Sequence, residues 1–286
     1  MRETTPDEVD KAKSGSAPFL GGSLFNHSCA PNAIWRMYGG VQVIRARQPI
    51  RTGDEVFIAY VPAEAPQSMR KGVLRAHFAD GCTCAYCADE RIDSPQQVAR
   101  RAELIGPSSR YIALRAESKS RQPVSAFQMS KLVRNLKRIV QHLEATYSPR
   151  RGSYRPDLVE PCLICAHAIG SSHATDATRL SAQYDLKGMV AAGADFHETP
   201  KAVEVVAAPF TVTVKRSIAE RFFLKIAGRN GLERSASGDA EARKWIKAAA
   251  AMARITHGLD WDGFVERAEA DFAAFNLKRL LAGCST

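Results

Sequence analysis

Three closely spaced cysteines are the residues of this sequence with the clearest chemistry. Cys82, Cys84 and Cys87 form a C-x-C-x-x-C pattern in a polar segment. Thiolates at this spacing are typical ligands of Zn²⁺, and a structural zinc site takes four ligands in a tetrahedron. The fourth ligand must come from another part of the chain, where the candidates are His77, Cys29, Cys162, Cys165 and Cys284. The alternative is a loop of reduced thiols that binds no metal.

A second group of reactive side chains lies in the segment LFNHSCAPN at 24–32. Asn26, His27, Cys29 and Asn32 follow two apolar residues within this short stretch. Such a cluster is costly to desolvate unless each polar group has a partner. The segment is therefore either an open polar turn, in which Asn26 bonds its own backbone, or a loop that binds something.

The composition of the whole chain limits the cellular environment in which these groups would act. It has 286 residues, a net charge of +10 and seven cysteines. An odd number of cysteines without an export signal indicates thiols or metal ligands rather than a disulfide framework. No apolar stretch approaches the roughly 20 residues of a membrane-spanning helix. We therefore expect a soluble, intracellular protein with a loose polar tail at 1–18.

The residues around these groups predict a small β-rich unit followed by a Cys-rich segment. AIWRMY at 33–38, VQVIRA at 41–46 and VFIAY at 56–60 have strand character. Gly39 and Gly40 predict a tight hairpin turn, because glycine accepts a positive φ. MRKGVLRAHF at 69–78 predicts a short basic helix just before the cysteines.

The remainder predicts helices. Within 125–147, Leu132, Leu136, Ile139 and Leu143 form one apolar stripe. Similar periods recur near 157–169, 176–192, 212–228, 239–257 and 260–281, with Asp239 and Asp260 as expected N-caps. These patterns predict stacked helix pairs that resemble a tetratricopeptide array. Cys162 and Cys165 lie in an apolar helical stretch, where we expect them to pack as core thiols.

Three motifs in order carry a family resemblance: NHSCAPN at 26–32, GDEVFIAY at 53–60 and CTCAYC at 82–87. Together they resemble the C-terminal half of a SET-domain protein lysine methyltransferase and its post-SET zinc segment, most closely the SMYD-type branch and its fungal relatives. LEATYSP at 143–149 and RPDLVEP at 155–161 extend the resemblance more loosely.

The resemblance implies an α+β fold, in which a small β-rich partial SET core with a zinc-binding post-SET segment precedes a mainly α-helical, tetratricopeptide-like region. The implied organisation is a flexible tail at 1–18, a partial SET domain at 19–61, a post-SET zinc segment at 62–92 and a helical region at 93–286. It also implies that the NHSC segment threads through a loop formed by the segment that leads to Tyr60.

The resemblance also assigns roles to residues. Asn26 and His27 fall where the family contacts S-adenosyl-L-methionine, and Cys29 falls where it supplies the fourth zinc ligand beside Cys82, Cys84 and Cys87. Tyr60 matches the catalytic tyrosine, although a strand-end tyrosine with a solvated hydroxyl would show the same pattern.

The sequence departs from the family in two places. The family often has an aromatic residue two positions before the first zinc cysteine, where it stacks on adenine, and here that position is Asp80. Phe78, two residues earlier, could restore the stacking, and we include it among the cofactor-binding candidates. Only a polar tail precedes Leu24, so we expect the N-terminal half of the SET domain to be missing.

The function implied is transfer of a methyl group from S-adenosylmethionine to a lysine of a histone or another protein. The alternative is a catalytically impaired SET remnant whose helical array binds a protein. Residues 91–155 carry fourteen Lys or Arg against four Asp or Glu, which indicates a solvated face, an acidic protein partner or nucleic acid. No membrane association is expected, and the compartment would be the nucleus, the cytoplasm or both.

Overall fold

A computed structural model describes residues 18–62, 65, 67–105, 125–172, 177–209 and 219–284. The tail predicted at 1–18 lies outside the described residues except for Pro18, as do residues 212–218 of one predicted helix. Within the described part of the chain, no helix combines the length and apolar character needed to cross a bilayer.

The first part of the chain is built from four short strands: β1 (Asn26–His27), β2 (Ala33–Tyr38), β3 (Val41–Ala46) and β4 (Phe57–Ile58). Strands β2 and β3 form an antiparallel hairpin in which Tyr38 pairs with Val41. Gly39 in the turn has φ of +58°, which confirms the hairpin prediction and its physical reason.

Strand β1 pairs with β4 in parallel, His27 opposite Ile58. Residues 56–60 were predicted as one strand, but the ladder covers only Phe57 and Ile58 because β1 is itself two residues long. Parallel strands end at the same edge of a sheet. Cys29, which follows β1, and Tyr60, which follows β4, therefore leave the ladder on the same side.

Helix α1 (Gln67–Leu74) precedes the cysteine motif, Cys84 is the N-cap of α2 (Ala85–Glu90) and Cys87 lies within α2, and α3 follows over 95–105. The predicted basic helix is confirmed as α1. Val61, Leu74 and Tyr86 pack with Cys29 and Cys87 in a small core of their own. This satellite core is too small to fold by burial alone, which gives a bound metal a structural role.

The rest of the described chain is mainly helical, as predicted. It comprises α4 (Ala126–Ala145), α5 (Pro156–Gly170), α6 (Ala177–Ala191), α7 (Ala219–Asn230), α8 (Ala236–His257), α9 (Trp261–Arg267) and α10 (Glu269–Ala274). From α4 to α9 each helix packs on the next. Cys162 and Cys165 are fully buried free thiols of the main core, which confirms their packing role. The tetratricopeptide-like repeat remains a prediction.

Three details of the helical region differ from the prediction. Asp239 is not an N-cap: α8 begins earlier, with Ser235 accepting a hydrogen bond from the Gly238 amide, whereas Asp260 does cap α9. The helix predicted over 260–281 breaks at Ala268. Strands β5 (Asp195–Glu198) and β6 (Val203–Ala207) form an antiparallel hairpin that was not foreseen.

Arg47 joins the β-rich unit to this second hairpin. Its Nε donates to the Ala208 carbonyl at 2.7 Å, and its terminal nitrogens donate to the carbonyls of Pro31 and Gly193. The Ala208 amide donates in turn to the Arg47 carbonyl at 2.9 Å. Burial lowers the pKa of the Arg47 guanidinium to about 10, and the nearby Asp195 opposes that change.

Asp93 makes a second junction, between the cysteine segment and the helices. Its carboxylate is fully buried and pairs with the guanidinium groups of Arg101 and Arg151. Arg101 also lies over the ring of Tyr147, at 4.3 Å from its centroid. Among the described residues of 91–155, the cationic side chains of Arg101 and Arg151 are therefore interior, which reduces the basic surface expected from sequence.

Candidate metal centre and active site

The four predicted zinc ligands come together. The Sγ atoms of Cys29, Cys82, Cys84 and Cys87 all lie within 4.8 Å of one another. A tetrahedral zinc with Zn–S bonds of about 2.3 Å places neighbouring sulfurs about 3.8 Å apart. The Cys29 and Cys87 sulfurs are 3.6 Å apart. The donor set and its spacing therefore fit Zn²⁺, and Cys29 is the fourth sulfur among the candidates.

The protonation of these thiols shows that they form one electrostatic unit. Hydrogen bonds from Cys29 and Cys87 lower the pKa of Cys84, whereas hydrogen bonds to Cys84 and Cys87, followed by burial, raise the pKa of Cys29. Four thiolates held this close together without a metal would repel one another. A divalent cation removes that conflict, since it allows all four sulfurs to be deprotonated.

Arg70 supplies positive charge beside the cluster. It is buried, donates to Glu90 and lies over the ring of Tyr86 at 4.9 Å. Burial alone lowers the pKa of Arg70, but Tyr86, Glu90, Cys29 and Cys87 raise it above its ordinary value. A tetrathiolate zinc site carries a net charge of −2, which this cation offsets.

Tyr60 lies against His27, which in turn contacts the thiol cluster. Its hydroxyl donates to the Phe25 carbonyl at 2.7 Å, and its amide donates to Nδ1 of His27 at 2.9 Å. Tyr60 is 39% exposed, so the residue is partly open to solvent. Nε2 of His27 lies 3.2 Å from the Cys29 sulfur.

Four rings form a closed cycle next to the thiols, which we call the aromatic quartet: His27, Tyr60, His77 and Phe78. Successive ring centroids lie 5.3, 5.2, 6.4 and 6.1 Å apart around the cycle. Phe78 is half-buried, whereas Asp80 is exposed. His77, one of the candidate zinc ligands, belongs to this quartet rather than to the thiol cluster.

The pKa of the His27 imidazole is lowered to about 4, and burial is the main cause. Cys84 raises this pKa, whereas Arg70 and His77 lower it. The His27 ring is therefore neutral at physiological pH. Its side chain faces Tyr60 and Cys29, which leaves Asn26 as the side chain of this pair that is open to solvent.

Asn26 is exposed and donates to the Glu55 carboxylate at 2.6 Å. Asn32 pins the same loop: its side chain donates to the Glu55 carbonyl and accepts from the Phe57 amide, at 2.8 and 2.7 Å. Sequence reasoning noted Asn32 but gave neither it nor Glu55 a role. The signal was present, since both lie within the motifs that carry the family resemblance.

Comparison with known proteins bears on the family of this chain. The family model for the SET domain matches residues 3–61, a range that also includes most of the predicted tail. The rat N-lysine methyltransferase SMYD2 is 26% identical over 261 residues, which cover 90% of this chain and 54% of the relative. The zebrafish N-lysine methyltransferase SMYD2-A gives the same identity and coverage. The human N-lysine methyltransferase SMYD2 is 33% identical over 113 residues, 37% of this chain.

The chain thus spans about half the length of the relatives that it matches over most of its own length. The matched region extends through both the thiol cluster and the helical part. The SET-model match over residues 3–61, the order of the motifs, the four gathered cysteines and the alignments with SMYD2 proteins together support a SMYD-type SET-domain protein.

Proposed function

We propose that this protein is a protein-lysine N-methyltransferase that uses S-adenosyl-L-methionine and a structural Zn²⁺. The observation that carries the proposal is the proximity of the thiol cluster to the aromatic quartet, created by the parallel pairing of β1 with β4. We propose the domain organisation as 19–61 for the SET core, 62–92 for the post-SET segment and 93–286 for the helical region, preceded by a tail at 1–18.

The described residues offer partners for two parts of the cofactor, its adenine and its sulfonium. S-adenosylmethionine, when bound, supplies an electrophilic methyl group on a sulfonium. Its adenine needs aromatic faces and amide partners, which Phe78 and Asn26 offer at the surface. The sulfonium needs nearby oxygen atoms, which the Tyr60 hydroxyl and the Phe25 carbonyl offer. We assign cofactor binding to Asn26, His27 and Phe78.

Tyr60 is the proposed catalytic residue. Because its hydroxyl proton is directed to the Phe25 carbonyl, the lone pairs of the Tyr60 oxygen remain to accept a hydrogen bond. A substrate lysine has an ordinary pKa of about 10.4 and must lose a proton before it reacts. Desolvation against the aromatic quartet favours the neutral amine, and the Tyr60 oxygen orients it.

Methyl transfer from labelled S-adenosylmethionine to histones or to proteins of a cell extract tests the proposal. Tyr60→Phe should lower kcat at least about a hundredfold, because the orienting oxygen is lost. Tyr38→Phe is the matched control, since Tyr38 lies at the hairpin end of β2. Calorimetric cofactor binding without any transfer would reject the enzyme and favour a protein-binding module.

We propose that a negatively charged partner, an acidic protein or nucleic acid, contacts α4 within segment 91–155. Lys131, Arg134 and Arg138 are exposed and follow one face of this helix at spacings of three and four residues. Replacing all three with alanine should weaken DNA binding and flatten its salt dependence, because each phosphate contact adds about 0.9 to the slope. Binding that is insensitive to salt would exclude phosphate contact.

We further propose that the protein is intracellular, in the nucleus, the cytoplasm or both. Its seven described cysteines are all unpaired, and four of them form the metal cluster. Reduced thiols and thiolate zinc sites are typical of reducing compartments. Imaging of a tagged protein would decide between the two compartments.

A further inference from the structure

The imidazole of His27 contacts two functional residues, each through a different ring nitrogen. Nδ1 lies 2.9 Å from the Tyr60 amide nitrogen, and Nε2 lies 3.2 Å from the Cys29 sulfur. The side chain is buried, with 4% of its surface exposed. The rings of Tyr60 and Phe78 lie beside it, with centroids at 5.3 and 6.1 Å.

The hydrogen-bond geometry selects one form of the ring. A main-chain N–H can only donate, so Nδ1 must be the acceptor and carries no proton. The proton of the neutral ring therefore sits on Nε2, where it points at the Cys29 sulfur. A metal-bound thiolate is an acceptor for such an N–H, and bonds of this kind orient and tune metal ligands.

The Tyr60 amide depends on this ring for its partner. Strand β4 ends at Ile58, so the amide of Tyr60 lies beyond the β1–β4 ladder. This donor is only partly buried, and Nδ1 of His27 provides its acceptor. The position of the Tyr60 backbone is thus set by a ring whose other nitrogen is held by the metal ligand.

We propose that His27 is a positioning residue that links the zinc ligand Cys29 to the catalytic Tyr60. The inference rests on the proposed function, because it takes the thiol cluster as a zinc site and Tyr60 as the catalytic residue. It assigns His27 two separate tasks, donation to the Cys29 sulfur and acceptance from the Tyr60 amide. Each task can be removed alone.

Two substitutions separate the tasks. The side-chain oxygen of His27→Asn falls near the position of Nδ1, so this variant keeps an acceptor for Tyr60 and loses the donor to sulfur. The side-chain amide nitrogen of His27→Gln falls near Nε2, so this variant keeps the donor and loses the acceptor. His197→Asn and His197→Gln are matched controls, since His197 is exposed on β5.

Cobalt(II)-substituted protein reports the first task, and hydrogen exchange of the Tyr60 amide reports the second. His27→Asn should shift the sulfur-to-cobalt charge-transfer band and weaken metal binding about 10- to 100-fold, with slow exchange retained. His27→Gln should keep the band and the affinity but speed the exchange of the Tyr60 amide. A merely structural role would change both readouts in both variants, and that result would overturn the proposal.

The unmodified protein provides a second test that needs no variant to fold. Nitrogen-15 spectra of labelled histidine should show His27 as the neutral ring protonated at Nε2, and protonation at Nδ1 would overturn the proposal. A wild-type protein without thiolate-to-cobalt bands would refute the metal site itself. Normal bands with unchanged readouts in both variants would refute only the link through His27.

Discussion

Replacing Asp93 with asparagine should destabilise the protein strongly, because it removes the charge that two buried arginines share. The side chain of Asp93 is fully buried, and those of Arg101 and Arg151 are 5% and 2% exposed. The Ser148 amide also donates to this carboxylate at 3.4 Å. Burial lowers the pKa of Arg151, but Asp93 and the rings of Tyr86 and Tyr147 raise it above its ordinary value.

The expected loss follows from what remains buried. Removing one partner of a buried ion pair costs about 3–5 kcal/mol, and asparagine keeps some of the hydrogen bonds, which places Asp93→Asn near about 3 kcal/mol. An unfolding entropy of about 2.1 cal/mol/K per residue gives roughly 0.6 kcal/mol/K for a chain of this length. The melting temperature should therefore fall by roughly 5 °C.

Thermal and urea unfolding monitored by circular dichroism measure this change. Glu103→Gln is the matched control: Glu103 pairs with Arg100 on the surface of α3, where both side chains are more than half exposed. That substitution should change stability by no more than about 0.5 kcal/mol. Adding Arg151→Met to Asp93→Asn should recover part of the loss, because one uncompensated charge is removed. Equal, small losses for Asp93→Asn and Glu103→Gln would refute the reasoning.

Three further outcomes are expected. Arg47→Met should lower the free energy of unfolding in urea by about 2–4 kcal/mol, because it leaves buried carbonyls without donors. Hydrogen exchange of the amides in β5 and β6 should become faster in this variant. An unchanged exchange rate would contradict the role of Arg47 in joining the two hairpins. Burial raises the pKa of Glu220, but His257 and Arg267 lower it more, so the pKa in the folded protein is below the ordinary value of 4.5. The ionised Glu220 therefore stabilises the fold fully above that ordinary value, and this stabilisation is lost as the pH falls through the pKa of the folded state. The difference in free energy of unfolding between the wild type and Glu220→Gln should therefore become smaller as the pH falls from about 5 to about 3. A difference that stays constant over this range would exclude the linkage. Gly258→Ala should cost about 1–2 kcal/mol in thermal unfolding, because residue 258 has φ of +71°; an unchanged melting temperature would contradict this.

The sequence was sufficient to predict features that depend on local spacing. The C-x-C-x-x-C motif, the glycine turn between β2 and β3 and the apolar stripe of α4 each follow from residues close together in the chain. The family resemblance added Cys29, whose sulfur comes from 53 positions before Cys82. No local pattern could have selected it from the other candidates.

Features that depend on tertiary partners were not predicted. The β5–β6 hairpin lies between helices, and its Thr199–Pro200 turn was overlooked among helical periods. Asp239 suggested an N-cap, but the Ser235 side chain bonds the Gly238 amide and begins α8 earlier. The partners of Asp93 lie 8 and 58 positions away, so their pairing appears only in the folded chain.

Zinc content measured on pure protein tests the central claim most directly. The gathered thiols predict one zinc per chain in the wild type, loss of that zinc in Cys29→Ser, and retention in Cys162→Ala, whose thiol is buried in the main core. Wild-type protein without zinc, or a Cys29→Ser variant that keeps the full amount, would contradict the account.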